Sequence, residues 1–327
     1  MQTHFTEAQL ADPLIREGDA ILRKCVHCGF CTATCPTFVI TGDERDSPRG
    51  RIWMLREVLE RPEKASEETG YHIDRCLGCL SCTTTCPSGV DYAHLLDIGR
   101  EKLDQLVPRK TTHRLMRWIL AAIIPHASKF QIMMRLANMG RPFSFLMPQM
   151  LQAAMQKLPR HVPQLDPVGG NTEHFAATSS PNIPYAKVPV KRVILLAGCA
   201  QRALDPEINA STIRVLNRLG VEVIVRKEAH CCGALAHHIG ETKKATATMR
   251  ATIDAWYEEI TAGAIDAIIV NASGCGTMVK DYGHLMRHNT ELAPLAAAIS
   301  GKAKDVSELL AELDLTSILQ QQITSGC

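Results

Sequence analysis

In the first hundred residues the apolar positions recur at helical spacing. Ser47-Pro48 reads as an N-cap with proline at the first helical position, and Ile52, Leu55, Val58 and Leu59 then fall on one face. Tyr92 to Leu106 repeats the pattern with Leu95, Leu96, Ile98 and Leu103. From Lys191 onward the signal changes. Lys191 to Gly198 (Val193, Ile194, Leu195, Leu196), Val221 to Val225 and Ile265 to Val270 are short apolar runs of the kind that a sheet buries on both faces. Pro206 to Leu219 and Glu241 to Thr261 have helical spacing, which returns from Glu291 to Gln322. This β-α-β-α-β order predicts a parallel sheet with right-handed crossovers.

Composition narrows the class. The 327 residues carry a formal net charge of +2, with 46% hydrophobic and 21% charged positions, which is ordinary for a globular chain of about two domains and gives no indication of a nucleic-acid partner. Met1 to Arg23 contains Glu7, Asp12, Glu17 and Asp19, unlike an export signal. The strongest apolar run, Trp118 to Ile124, ends at Pro125 and falls far short of the roughly 20 residues of a membrane span. A cytoplasmic location is expected, with peripheral attachment to the cytoplasmic face of the inner membrane as the extension. Thirteen cysteines in such a compartment point to metal ligation or redox chemistry, with disulfides the weaker alternative.

Eight of these cysteines form an internal repeat. Cys25-Val-His-Cys28-Gly-Phe-Cys31-Thr-Ala-Thr-Cys35-Pro36 recurs 51 residues later as Cys76-Leu-Gly-Cys79-Leu-Ser-Cys82-Thr-Thr-Thr-Cys86-Pro87. Three thiolates spaced by two residues wrap one corner of an iron-sulfur cube, and the next turn carries the fourth away to the other cube. The expected ligand sets are Cys25, Cys28, Cys31 and Cys86 for one [4Fe-4S] centre and Cys76, Cys79, Cys82 and Cys35 for the second. Two structural zinc sites are the alternative, but zinc gives no reason for the third step of two residues or for the proline after each fourth cysteine. His27 is read as a packing group, and Arg49 and Arg51 as a solvated helix start, with offset of cluster charge as the other reading.

Between Gln105 and Leu165 there is no Asp or Glu, whereas nine Lys and Arg and seven of the twelve methionines fall there. Such a stretch suits an anionic membrane surface or a partner subunit; helices packed on their own domain with snorkelling basic residues suit it as well. Six prolines, Gly169-Gly170 and a Ser/Thr cluster between Pro159 and Pro189 read as a linker. Four more cysteines follow the three predicted strands: Cys199, then Cys231 and Cys232, then Cys275. Ligands bind beyond the carboxyl ends of parallel strands, so these four are candidates for a third metal or cluster, with small apolar fillers as the alternative. His230, His237 and His238 show no metal-binding spacing and are read as structural or surface groups. The expected architecture is multidomain, α then α/β: residues 1–107 an α-helical ferredoxin module with two [4Fe-4S] clusters, 108–158 a basic Met-rich helical segment, 159–190 a Pro-rich linker, and 191–327 a parallel α/β cysteine-rich half-domain.

No G-x-G-x-x-G follows a predicted strand and no G-x-x-x-x-G-K-[ST] occurs, so neither a dinucleotide site nor a phosphate loop is encoded in the usual form. The chain reads as a carrier of electrons whose hydride-accepting cofactor sits elsewhere. It resembles the iron-sulfur subunits of bacterial glycolate oxidase, within a larger group that has a CCG-type domain and includes subunits of heterodisulfide reductase and anaerobic glycerol-3-phosphate dehydrogenase. The matching strings are the Cys25 motif, Ser-Pro-Arg-Gly-Arg-Ile at 47–52, Thr-Cys-Pro-Ser-Gly-Val at 85–90, Leu-Leu-Asp-Ile-Gly-Arg at 95–100, Gly-Cys-Ala-Gln at 198–201, Cys-Cys-Gly-Ala at 231–234 and Ala-Ser-Gly-Cys-Gly-Thr-Met-Val-Lys-Asp-Tyr-Gly at 272–283.

The resemblance implies oxidation of glycolate to glyoxylate, FAD on partner subunits, and an acceptor such as membrane quinone. It also implies a closing C-x-x-C, where Met278 here replaces the last cysteine, and a second CCG-type half, where the sequence ends at Cys327 without another Cys-Cys-Gly. The exposed strand edge would then lack its covering. Two further readings stay open: a subunit serving another flavoprotein, such as a glycerol-3-phosphate or lactate dehydrogenase or a heterodisulfide-reductase-like complex, and a truncated, non-catalytic or redox-sensing iron-sulfur protein. Cys327 is read as incidental.

Overall fold

A computed structural model describes residues 1–146, 148–176 and 191–313, which fall into two compact units. The first comprises Met1–Arg117 with His238–Thr242, and the second Trp118–His237 with Lys243–Cys327.

The first unit is helical. Its main helices are Pro13–Lys24, Pro48–Glu60, Glu67–Asp74 and Tyr92–Leu106, and each starts at a side-chain cap: Asp12, Ser47, Ser66 and Asp91 accept from backbone amides of the first turn. Ser47 and Pro48 stand at the N-cap and first helical position, as the pattern predicts. Leu22, Leu55, Leu59, Ile73, Leu95 and Leu103 form its core and are at most 2% exposed. Gly99 lets the Pro48–Glu60 and Tyr92–Leu106 helices approach, because a Cβ there would lie 2.2 Å from Leu55 Cδ2.

The second unit is built on a five-stranded mixed sheet: β1 Glu173–Phe175, β2 Arg192–Leu195, β3 Glu222–Val225, β4 Ala267–Val270 and β5 Ala303–Asp305, in the order β1-β3-β2-β4-β5. β3, β2, β4 and β5 pair in parallel, with Ile194 opposite both Ile224 and Ile268. β1 runs antiparallel to β3, which corrects the expectation of an all-parallel sheet. Successive side chains alternate between two cores: Ile194, Ile224, Ile268 and Val270 pack on one side with Trp256 and Tyr282, and Val193, Leu195, Val223, Val225 and Ile269 on the other. Burial on both faces is why these strands read as unbroken apolar runs.

Three further expectations change. Within 159–190, expected to be a linker, Leu165 packs on the Phe130 and Met134 cluster, Val168 joins the sheet core, and 173–175 forms β1; residues 177–190 lie outside the described residues. The helix expected from Glu291 to Gln322 is two helices, Ala293–Lys302 and Val306–Glu312, separated by β5, and its tail from 314 lies outside the described residues, as does Cys327. The helix expected from Glu241 to Thr261 breaks at Trp256. Among the described residues no helix is long and apolar enough to cross a membrane.

Candidate iron-sulfur and cysteine-rich sites

The repeat survives in the backbone. In the first loop the residues on either side of Cys28 take left-handed conformations, His27 at φ 57° and Gly29 at φ 86°; around Cys79, Gly78 (φ 63°) and Leu80 (φ 56°) do the same. Only one glycine in each pair matches this backbone freely, so His27 and Leu80 carry a steric cost that the loop fold must offset. Such alternation turns successive amides to one side and forms a concave nest suited to an anionic group. Each fourth cysteine is set by the helix boundary at a Cys-Pro step: Cys35 is the N-cap of Pro36–Thr41, and Cys86 ends Ser81–Thr85.

These loops bring the two halves of the repeat together. Cys25, Cys28 and Cys31 line one cavity with Cys86, from the other repeat, beside Ile52, Val90 and Tyr92; Cys82 also reaches its wall. Burial raises the Cys25 thiol pKa, and the neighbouring Cys86 and Cys28 raise it further. Burial, Cys25 and Cys28 do the same to Cys31. The Cys82 thiol is pushed up to about 12, first by burial and then by Cys76, Cys31 and Cys35. Cys79 moves the other way, because the backbone and hydroxyl of Ser81 hydrogen-bond its sulfur. Cys28 and Cys79, at the loop tips, are exposed.

The donor set fits an iron-sulfur cube: Cys25, Cys28, Cys31 and Cys86 around one cavity supply the four thiolates that such a cluster takes, one at each iron.

A buried polar network adjoins Cys35. Arg51 is fully buried, which corrects its reading as a solvated helix residue: Nε donates to the His72 carbonyl (2.8 Å), Nη1 to Thr37 Oγ1 (3.1 Å) and Nη2 to Asp46 Oδ1 (3.4 Å). Asp46, also fully buried, meets His72 Nδ1 at 3.0 Å and Arg75 Nη1 at 3.0 Å. Arg51 Nη1 lies 3.9 Å from Cys35 Sγ. Arg49, two residues earlier, is half-exposed and pairs with Glu44 at 2.7 Å. Tyr92 is buried and donates its hydroxyl to Cys76 Sγ at 3.6 Å, while Arg100 Nη2 donates to the Cys76 carbonyl at 2.9 Å. Periodicity alone could have flagged Arg51, since Leu55 and Val58 stand four and seven positions on and share its helix face. Tyr92 carries the same signal, with Leu95 and Leu96 three and four positions on, whereas Asp46 and His72 carry none.

In the second unit the other four cysteines sit beyond the carboxyl ends of β2, β3 and β4. Cys199 follows the left-handed Gly198, Cys231 and Cys232 precede the left-handed Gly233, and Cys275 lies in the first turn of Ser273–Lys280. The four thiols adjoin one another in order, Cys199 beside Cys231, Cys231 beside Cys232, and Cys232 beside Cys275, each perturbing the next. The neighbouring Cys231 and then burial drive the Cys199 pKa upward; for Cys231, the lowering by Cys199 is outweighed by Cys232 and by burial, which leave it at about 12. The paired carbonyls are anchored by Thr252 Oγ1, which donates to Cys231 O at 3.0 Å, and by the buried Tyr282 hydroxyl, which donates to Cys232 O at 2.9 Å. Met278 is buried in the core that contains Cys232. His230 stacks on His126 with ring centroids 5.7 Å apart, and its Nδ1 lies 3.0 Å from the Glu228 carbonyl.

The basic segment is partly neutralised. Arg109 and Arg117 both pair with Asp74 and Asp104 of the first unit. In the second unit, Ile132, Leu136 and Met139 stand exposed at four- and three-residue steps on the Ala127–Gly140 helix, and Phe143 and Phe145 are exposed just beyond it.

Two domain families account for both cysteine-rich regions: a 4Fe-4S dicluster domain matches residues 21–90 and a cysteine-rich domain, CCG, matches residues 193–280. The chain is thus of the iron-sulfur class in which a dicluster module is joined to a cysteine-rich α/β domain. It is 42% identical over 318 residues to the glycolate oxidase iron-sulfur subunit of Escherichia coli (strain K12), covering 97% of this chain and 72% of that protein. It is 30% identical over 307 residues to the probable glycolate oxidase iron-sulfur subunit of Bacillus subtilis (strain 168), covering 91% and 67%. A lactate utilization protein A from Exiguobacterium sp. (strain ATCC BAA-1283 / AT1b) is 29% identical over 130 residues, covering 38% and 50%. No solved structure matches. The chain belongs to the glycolate oxidase iron-sulfur subunit family.

Proposed function

We propose that this chain is the iron-sulfur electron-transfer subunit of a flavin-dependent glycolate (2-hydroxy acid) oxidase, relaying electrons from FAD-binding partner subunits as glycolate is oxidised to glyoxylate. The observation that carries this is the crossed pairing of thiols, in which Cys86 of the second motif joins Cys25, Cys28 and Cys31 around one cavity. On this reading Cys25, Cys28, Cys31 and Cys86 hold one [4Fe-4S] cluster and Cys76, Cys79, Cys82 and Cys35 the other, and each cluster supplies reversible one-electron chemistry. The chain's own groups hold the thiolates, exclude water on the Ile52, Val90 and Tyr92 side, and leave Cys28 and Cys79 at the surface, where electrons can enter and leave.

Cys199, Cys231, Cys232 and Cys275 are assigned to a further cluster or metal site, supported by the convergence of the four neighbouring thiols at the strand ends. The exposed Ile132, Leu136, Met139, Phe143 and Phe145 lie among basic residues in a stretch without Asp or Glu, which suits an anionic bilayer on the cytoplasmic face and a quinone acceptor there. Service to a lactate-oxidising flavoprotein is the second reading, favoured by the likeness to lactate utilization protein A.

Co-expression with two FAD subunits of the glycolate type provides the test. Glycolate should reduce the flavin whether or not this chain is present, and electrons should reach a one-electron acceptor only when it is. Equal transfer without it would reject the proposal, and reduction by lactate but not glycolate would favour the second reading.

A further inference from the structure

Side-chain donors fall unequally on the two sets of cysteines. In the set Cys35, Cys76, Cys79 and Cys82, Arg51 Nη1 lies 3.9 Å from Cys35 Sγ, the Tyr92 hydroxyl donates to Cys76 Sγ at 3.6 Å, and the Ser81 hydroxyl donates to Cys79 Sγ at 3.6 Å. Thr37 Oγ1 is 3.2 Å from Cys35 Sγ and donates to the Asp46 carbonyl at 2.8 Å. In the set Cys25, Cys28, Cys31 and Cys86 no side chain among the described residues donates to a sulfur; the backbone amides that bear on these thiols are those of His27, beside Cys25, and of Cys31 and Arg49, beside Cys31.

Hydrogen bonds to ligand sulfurs withdraw negative charge and favour the reduced state of a cluster. We infer that Arg51, Tyr92 and Ser81 act as positioning residues that make the Cys35–Cys76–Cys79–Cys82 site the more readily reduced of the two, an inference that rests on the two-cluster reading above. The positive groups near the other set do not reverse this. Arg49 is half-exposed and paired with Glu44, and the Met1 ammonium bonds the carbonyls of Leu22, Arg23 and Cys25 from a partly exposed position, so solvent and salt screen both. Arg51 is fully buried, so its donor faces Cys35 Sγ away from solvent; its charge is balanced by Asp46, and Arg75 on the same carboxylate is as exposed as Arg49. The difference between the two sites therefore rests on the side-chain hydrogen bonds to sulfur, which count for more where solvent is excluded.

The test is an anaerobic potentiometric titration of the reconstituted full chain, with dithionite as reductant, mediator dyes, and EPR to follow each centre. Cys28→Ser and Cys79→Ser mark which signal belongs to which set. The higher-midpoint signal should vanish in Cys79→Ser and persist in Cys28→Ser. Tyr92→Phe with Ser81→Ala should lower the reduced-to-oxidised ratio of that signal at fixed poise about tenfold, equivalent to about 59 mV for one electron, and leave the other signal in place. Both substitutions remove a hydroxyl at nearly constant volume, so folding is retained. Loss of the lower-midpoint signal in Cys79→Ser, or an equal shift of both signals in the hydroxyl variant, would overturn the inference while the two-cluster reading stands. If neither serine variant removes a separate signal, the two-cluster reading itself fails.

Discussion

Arg49 and Arg51 stand two positions apart at the start of one helix, and replacing each by methionine should have very different consequences. Arg51→Met leaves the aliphatic volume but removes three donors, to the His72 carbonyl, Thr37 Oγ1 and Asp46 Oδ1, all inside the protein. Breaking a buried ion pair from one side costs about 3–5 kcal/mol. Asp46 keeps His72 and Arg75, so the lower end, about 3 kcal/mol, applies here. Arg49 loses only its surface pair with Glu44, worth about 0.2–1 kcal/mol. Urea denaturation of the reconstituted protein under anaerobic conditions, followed by cluster absorbance, reads the difference. At a slope of about 2 kcal/mol per molar, Arg51→Met should lower the midpoint by about 1.5 M and Arg49→Met by no more than about 0.5 M. Equal shifts, or an Arg51→Met midpoint within about 0.3 M of wild type, would refute the reasoning that the network bears on this unit's stability.

Other outcomes follow from the same geometry. Gly99→Ala should destabilise the first unit by about 1–3 kcal/mol, seen as a lower urea midpoint, because its Cβ would press on the buried Leu55; Gly18→Ala, which meets Leu59 Cδ1 at 3.3 Å, should cost less. The Cys82 thiol is neutral at pH 7 and must lose its proton to bind iron, so loading should release protons, and iron retention against a chelator should fall as pH is lowered from 8.5 to 6.5. Its folded-state pKa is raised from 9.0 to about 12, so the cluster-free fold should hold its full stability below pH 9 and lose it as pH rises toward 12; a thermal midpoint that climbs over that interval would contradict this. Leu136→Glu should weaken co-sedimentation with anionic vesicles, and binding that is unaffected by salt and by this substitution would dismiss the bilayer contact.

Much of this architecture is legible in the residues because the chemistry demands regular spacing. The C-x2-C-x2-C-x3-C-P repeat and the Ser47-Pro48 start depend on local geometry, which a sequence carries directly. β2, β3 and β4 are legible because burial on two faces forces continuous apolar runs. β1 and β5 are not: each has three residues, pairs on one side only, and contains polar groups, Glu173 and His174 in one and Lys304 and Asp305 in the other. Both were hidden in neighbouring signals, β1 among prolines and β5 in a helical pattern. Arg51 and Tyr92 show the limit for the sites. Their roles depend on which sulfur the tertiary fold brings near them, and spacing along the chain does not encode that.

The account rests on two sets of four thiols crossed between the motifs. Iron and sulfide analysis of the anaerobically reconstituted chain and of its Cys28→Ser and Cys79→Ser variants tests this most directly. Each variant should lose about four irons and one EPR signal, with Cys35→Ser matching Cys79→Ser and Cys86→Ser matching Cys28→Ser. If Cys35→Ser instead removes the same signal as Cys28→Ser, each motif closes its own cluster and the crossed assignment is wrong.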